Sequence, residues 1–304
     1  ITSFEKSTHP ANITDSMGPI LGNVDTKALG GNDLIDCDVA LGYEYPPQKS
    51  SYDEKDLELY ALGVGAGQDA TDPHELQYLY ENDANFRAIP TFGVVPALGT
   101  VFEMAKRGET APGMNFGFDR ILHGEQYTEL KRPLPPSAKL THKAKIKEIW
   151  DKGKGAVVVT AITTLDDDGN ELVYNELSTF VRGAGGWGGE RGPSAEVNVA
   201  PDRKPDAVIE EKISPSQALL YRLSGDINPL HVDPSFAKAF GFDRPILHGL
   251  CTFGFAARHV IKAFSNNDPR FFKSIKVRFS ESVFPGETLM TEMWKEGEKI
   301  VFRC

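Results

Sequence analysis

YRLSGDINPLHVDP, Tyr221 to Pro234, repeats an earlier stretch, YALGVGAGQDATDP, Tyr60 to Pro73, and this repetition decides how the chain is organised. The two align without a gap and share Tyr60 with Tyr221, Leu62 with Leu223, Asp72 with Asp233 and Pro73 with Pro234. Where the second copy has Asp226, Asn228 and His231, the first has Gly65, Gly67 and Ala70. Two further strings recur in the same order. GFDRILHG, Gly117 to Gly124, returns as GFDRPILHG, Gly241 to Gly249, and WDKGKGAVVV from Trp150 returns more loosely as WKEGEKIVFR from Trp294. The chain is therefore a duplicated fold. Acid–base residues survive in one copy of the loop, which points to an enzyme with a single active centre.

Local signals give each half the same outline. In the second copy Ser214, Pro215 and Gln217 read as N-cap, first helical position and capping-box partner. That helix should stop near Gly225, which leaves Asp226 to His231 on a loop. Asp233-Pro234 starts a short helix that Gly241 ends. A longer one follows from Gly249, with Leu250, Phe253, Ala257, Val260, Ile261 and Phe264 on one face. Next comes a strand in which Ile275, Val277 and Phe279 alternate with Lys276, Arg278 and Ser280. Further strands are expected around Met290–Trp294 and Lys299–Phe302. The first-copy equivalents lie at Lys143–Trp150, Ala156–Leu165 and Glu171–Arg182. Each half reads as α+β, a largely antiparallel sheet packed on helices.

The copies differ in length where it matters. Gly249 to Pro285 spans 36 residues, whereas Gly124 to Pro136 spans 12, so the long helix after the second His-Gly has no room after the first. Losing it would expose apolar sheet face, costing roughly 25 cal/mol per Å² unless something else covers it. A ligand's hydrocarbon chain is one candidate cover. The first copy also carries an insertion, about 74 to 115, rich in aromatic residues and Pro, which we expect to form a flap.

Bulk properties narrow the function. The 304 residues suit two domains, with 31–190 and 191–304 as the repeats and 1–30, rich in Ser, Thr, Asn, Gly and Pro, as linker. A net charge of −10 and the lack of a long basic stretch exclude nucleic acid as partner. Mean hydropathy is −0.32 and apolar runs such as Ala156 to Ile162 are too short for a membrane span. Cys37, Cys251 and Cys304 fit neither a disulfide framework nor zinc-ligand spacing, which favours a reducing compartment and no structural metal.

On YRLSGDINPLHVDP and FDRPILHGLCTFGFAARHVI the chain resembles the (R)-specific enoyl-CoA hydratases, the hydratase 2 or MaoC-like proteins. Its pattern is near that of the hydratase 2 part of peroxisomal multifunctional enzymes type 2, of the fungal kind. The resemblance implies a double hot-dog fold, each half a helix wrapped by a curved antiparallel sheet, with the central helix missing from the first. It implies hydration of trans-2-enoyl-CoA to (3R)-3-hydroxyacyl-CoA in peroxisomal β-oxidation, with acyl-CoA as substrate and no cofactor or metal. It also implies roles for particular residues. Asp226 and His231 become the catalytic pair, Asn228 their support, and the Gly249 N–H the donor that polarises the thioester carbonyl. His123, Gly124, Lys152 and Phe279 become substrate contacts. A homodimer, within a longer polypeptide carrying a C-terminal peroxisomal signal, is expected too. These residue types suit the chemistry. A carboxylate and an imidazole can hold one water and move its protons, and an amide at a helix start meets charge developing on an oxyanion.

Plainer readings accompany several residues. Asp and Asn-Pro are ordinary loop formers, but Asp226, Asn228 and His231 vanish together from the sister copy. Asp233 keeps its counterpart Asp72 and reads as an N-cap. His248, with its twin His123, reads as structural, and His259 as a partly exposed helix residue. Gly185 to Gly189 lacks the strand–helix setting and the Lys-Ser/Thr ending of a phosphate loop and reads as a linker. Lys152 and Lys154, in a Gly-containing turn, could meet CoA phosphates or be solvated. A hot-dog thioesterase and a non-enzymatic acyl-CoA-binding module are the competing functions. Only ten residues follow Trp294, against about 33 from Trp150 to the end of the first sheet. A vacant strand position beside Lys299–Arg303, and about 20 further native residues, are therefore expected.

Overall fold

In this computed structural model, described for residues 2–6, 30–193 and 199–304, ten strands form one antiparallel sheet in the order β2-β4-β5-β6-β3-β8-β1-β10-β9-β7. The strands are β1 (Thr2–Lys6), β2 (Gln48–Tyr52), β3 (Ile121–Leu130), β4 (Ala138–Asp151), β5 (Gly155–Leu165), β6 (Glu171–Arg182), β7 (Ala207–Lys212), β8 (Phe272–Arg278), β9 (Thr288–Glu296) and β10 (Lys299–Arg303). Read inward from its two ends, the sheet is two matching halves: β2 answers β7, β4 answers β9, β5 answers β10, β6 answers β1, and β3 answers β8. They join where β3 pairs β8, with Glu125 opposite Arg278 and Tyr127 opposite Lys276. No helix among the described residues is long and apolar enough to cross a membrane.

The helices among the described residues are α1 (Cys37–Ala40), α2 (Glu54–Gly63), α3 (Pro73–Leu76), α4 (Val95–Lys106), α5 (Gln217–Tyr221), α6 (Pro234–Ala239) and α7 (Gly249–Phe264). The shared Asp-Pro pair does the same work twice. Asp72 caps α3 by accepting the His74 N–H, and Asp233 caps α6 by accepting those of Ser235 and Phe236. The repeated tyrosines are equivalent in space as in sequence. Tyr60 and Tyr221 are both buried, 6.1 Å apart between ring centres, and α2 meets α5 where the Tyr221 backbone lies against Gly63. Helix α7 spans the positions its periodicity predicts, with Leu250, Phe253, Ala257, Val260 and Ile261 buried in the main core. After the first His-Gly there is no helix. His123 and Gly124 already lie on β3, at a register shift in its pairing with β6.

Four expectations need correction. The start of α5 is not the capping box read at Ser214: the helix begins at Gln217 with no side-chain cap, because the Gln217 amide instead donates to the Leu62 and Gly63 carbonyls of α2. His259 is not partly exposed but 1% accessible, bonded through Nδ1 to Thr291 Oγ1 and through Nε2 to the Glu211 carboxylate. The first half's sheet is not bare either. The insertion covers it: Phe92 and Val94 pack with Leu130 and Val173, Ala97 of α4 packs on Ala144 and Ile162, and Asn175 Nδ2 donates to the Gly93 carbonyl. Finally, the strand position beside β10 is filled. Thr2–Lys6, expected within a linker, pairs antiparallel with both β10 and β8, in the place β6 holds in the first half. Residues 1 and 7–29 of the expected linker lie outside the described residues.

Candidate active site

The loop between α5 and α6 is built by small local bonds. A single 3-10 turn, Arg222–Ser224, ends at Gly225, whose φ of 125° is open to glycine. Asp226 Oδ1 accepts the Asn228 N–H at 3.3 Å, and Asn228 Oδ1 accepts the Leu230 N–H at 3.0 Å, capping a second turn, Pro229–His231. That turn carries the His231 ring inward, where it is 9% accessible. The ring is held by a 2.9 Å bond from Nδ1 to the Ile246 carbonyl. A carbonyl can only accept, so Nδ1 carries the hydrogen and Nε2 keeps its lone pair. The spacing Asp226-x-Asn228-x-x-His231 thus delivers a carboxylate and an accepting imidazole to one point.

The structure brings a third residue there. His248 stacks on His231 with ring centres 3.7 Å apart and 29° between planes, and its Nε2–H donates to the Asp226 backbone carbonyl at 3.1 Å. Its Nδ1 is buried without a partner. One donor atom each from Asp226, His231 and His248 lie within 4.8 Å of one another. The sequence reading set His248 aside because its twin His123 survives in the copy without acid–base residues. What a copy comparison does not carry is the packing of one conserved string against the other: the His-Gly string of the second half lies on the second half's own loop.

Burial moves the two central groups in opposite directions. Burial raises the Asp226 carboxyl pKa, an effect that His231 and the Asn228 N–H oppose. Burial lowers that of His231, opposed by Asp226 and the Ile246 carbonyl. His248 is pushed down to about 2, by burial first and by His231 second, so it is neutral throughout the physiological range. Both shifts disfavour the charged forms, so burial works against a fixed ion pair here.

Gly249 is the first residue of α7, immediately after this cluster, and its N–H is among those that a helix start leaves without an intrahelical acceptor. A Cβ there would lie 2.9 Å from the Phe279 ring, so glycine is what lets the helix start and Phe279 approach. Phe279 in turn meets His123 edge-on at 5.1 Å. Phe279, His123 and Gly249 thus form one wall beside the loop. Gly124 is close by on β3, where its carbonyl accepts the Phe279 N–H at 2.9 Å. Lys152 is placed differently. Its ammonium donates to the carbonyls of Arg191 and Pro193, tying the β4–β5 turn to the segment between the halves. The glycine-rich segment already holds an anion of the protein's own: the Asp151 carboxylate accepts the N–H groups of Gly153, Gly186, Gly188 and Gly189.

Known proteins resemble the chain along its whole length. Residues 50–183 match the family described as MFE-2 hydratase 2 N-terminal domain, and residues 196–304 the MaoC like domain. The chain is 45% identical over 318 residues to the peroxisomal multifunctional enzyme type 2 of Mus musculus, with all of this chain and 42% of that protein covered. It is 43% identical to the peroxisomal enoyl-CoA hydratase 2 of Arabidopsis thaliana, with 88% of this chain and 89% of that protein covered. The chain spans less than half the length of the multifunctional relatives, which continue beyond the matched region. A crystal structure of a MaoC-like dehydratase from Phytophthora Capsici matches with a TM-score of 0.79 at 39% identity, covering 88% of this chain and 91% of that one. A Mycobacterium tuberculosis protein described as a double hotdog fold matches with a TM-score of 0.53 at 14% identity, which bears on the fold alone. The architecture here is that fold.

Proposed function

The chain belongs to the hydratase 2 family of MaoC-like proteins, and on that premise we propose that it adds water to trans-2-enoyl-CoA to give (3R)-3-hydroxyacyl-CoA. The observation that carries the reading is the meeting of the Asp226 carboxylate with the His231 ring, whose Nε2 keeps its lone pair, beside the start of α7. A water held by Asp226 and His231 gives one proton to the pair as its oxygen bonds to C3. The electrons of the double bond move to the thioester oxygen, where the Gly249 N–H and the helix dipole meet the charge. The proton returns to C2 as the carbonyl re-forms, so water is the only reagent consumed. Asn228 holds the loop through its cap and leaves its amide N–H groups to orient the water.

We assign no cofactor or metal to this reaction. His123, Gly124 and Phe279 are proposed to line the acyl-CoA pocket, Phe279 on the acyl side. Lys152 is proposed to meet the CoA phosphates only after giving up its carbonyl contacts to Arg191 and Pro193. Residues 31–190 and 191–304 are proposed as the non-catalytic and catalytic repeats. We further propose a homodimer, and a place within a longer multifunctional polypeptide in the peroxisome; the mouse relative's name supports the multifunctional polypeptide, and the names of the mouse and plant relatives support the peroxisome.

The test is hydration of crotonyl-CoA and of 2-decenoyl-CoA, with chiral analysis of the product and a thiol reagent present in parallel. The proposal expects a 3R product and no free CoA. A 3S product or release of CoA overturns it, the latter in favour of a thioesterase using the same helix start.

A further inference from the structure

Three acceptors converge at the loop with nothing to share. His231 has committed its N–H to the Ile246 carbonyl and His248 its N–H to the Asp226 carbonyl, so each offers a lone pair at its other nitrogen. Asp226 adds a carboxylate whose side chain accepts only the 3.3 Å bond from the Asn228 N–H. His248 Nδ1, in a residue 1% accessible, has no hydrogen-bond partner at all. Imidazoles whose far nitrogen is fixed on a backbone carbonyl are in the state required of metal ligands, since that bond sets the tautomer and the ring orientation. Two such rings and one carboxylate make a three-ligand set with room for a fourth.

We propose that Asp226, His231 and His248 bind one Zn²⁺ ion per chain, and that the bound ion inhibits the enzyme. The nitrogen donors select a borderline-soft transition ion over Mg²⁺ or Ca²⁺, which take oxygen ligands. At Zn–N distances of about 2.0–2.1 Å, donors around a tetrahedral ion stand roughly 3.3 Å apart, against a present spread of up to 4.8 Å. Closing that gap requires the Asp226 carboxylate to swing in and the loop to yield at Gly225, so that the two stacked rings part while each keeps its bond to a backbone carbonyl. The ion would occupy the lone pair and carboxylate that handle water, so activity and occupancy exclude each other. The first half offers no equivalent. His123 survives, but Gly65, Gly67 and Ala70 stand where the second copy has its ligands, and among the described residues no other such group forms. The expected stoichiometry is therefore one.

Inhibition rests on the hydratase reading; binding does not, so calorimetry without any thioester keeps the two failures apart. Protein stripped with EDTA and titrated with ZnCl₂ at about pH 7.5 should take up one ion per chain with a dissociation constant in the micromolar range or below. D226N and H248Q should each weaken binding at least about tenfold, while H74Q, at an exposed histidine, should not. CoCl₂ on the unaltered protein should give the visible absorption of a tetrahedral ion, a readout that does not depend on the variants folding. In the hydratase assay Zn²⁺ should inhibit and EDTA should restore the rate. Absence of saturable binding up to about 100 µM, undiminished binding in both variants, or equal binding of Mg²⁺ would each overturn the proposal.

Discussion

Lowering the pH from 7 to 5 should remove several kcal/mol of stability, because two buried histidines and one half-buried one must stay neutral in the fold. His142 is 2% accessible between Ser50 and Thr164, His248 is 1% accessible, and His123 has Nε2 buried without a partner. Burial, the leading cause for all three, holds His142 and His123 down at about 4 and His248 at about 2. A folded pKa below the unfolded value means the stabilisation is complete above the unfolded pKa and is lost as pH falls toward the folded one. With about 6.5 for the unfolded residue, each histidine loses roughly 1.9 kcal/mol between pH 7 and 5. His123 keeps part of its surface and counts for less, so the sum is about 4 to 5 kcal/mol, comparable to the whole stability of a marginal domain. Two carboxyls oppose this: Asp226 and Glu58, both raised by burial first, favour the fold as pH falls, whereas His231, lowered by burial, adds to the loss. The carboxylates held below their usual range by hydrogen bonds, such as Asp151, titrate mainly below this window. Urea unfolding followed by tryptophan fluorescence at half-unit steps measures the loss, and H142Q should reduce the slope by about two fifths. A stability that is flat or rising from pH 7 to 5 would refute the reasoning.

D226A and H231A should each lower kcat by about 10²–10⁴ with the unfolding midpoint little changed, since both lie on a loop outside the core; a loss under about tenfold in initial-rate assays sinks their assignment. G249A should slow hydration by forcing the Phe279 ring off the helix start, and adding F279L should recover part of the rate; failure of the second change to help would mean the cost is not that contact. R258M should destabilise the fold by about 3–5 kcal/mol in urea titrations, because it leaves the buried Glu75 and Glu211 carboxylates without their shared guanidinium.

Much of this was legible because its causes are local. Asp72-Pro73 and Asp233-Pro234 announce helix starts through their own N–H groups, and α7 announces its buried face by periodicity. The missing helix was legible as a length difference. What the sequence hid depends on partners far along the chain. His259 is buried because Thr291 and Glu211, 32 and 48 residues away, satisfy its ring nitrogens. Gln217 leaves its expected cap because the carbonyls of α2 are better acceptors for its amide. The filling of the position beside β10 by Thr2–Lys6 has no local signature, since five residues of mixed polarity say nothing of which edge they will pair. His248 shares its string with a twin but not its surroundings: the twin faces Phe279 while His248 faces His231, which the sequence alone does not distinguish.

The silent loop of the first half shows why the duplication keeps one centre and not two. Gly65 stands where Asp226 stands in the active copy, but its φ is 85° and a Cβ would lie 2.3 Å from the Phe255 ring of α7. Gly67, the counterpart of Asn228, has φ 86° and would meet Leu79 at 2.8 Å. Its N–H donates to Glu75 at 2.8 Å, and Glu75 is held in turn by Arg258 of α7. The loop has therefore become a support for the one central helix, and that helix begins at Gly249, beside the acid–base pair. Restoring a carboxylate at position 65 would need a side chain where the backbone is left-handed and the space already belongs to Phe255. On the proposed function, the first half contributes by packing the helix that starts beside Asp226 and His231, and a second centre would have to displace that support.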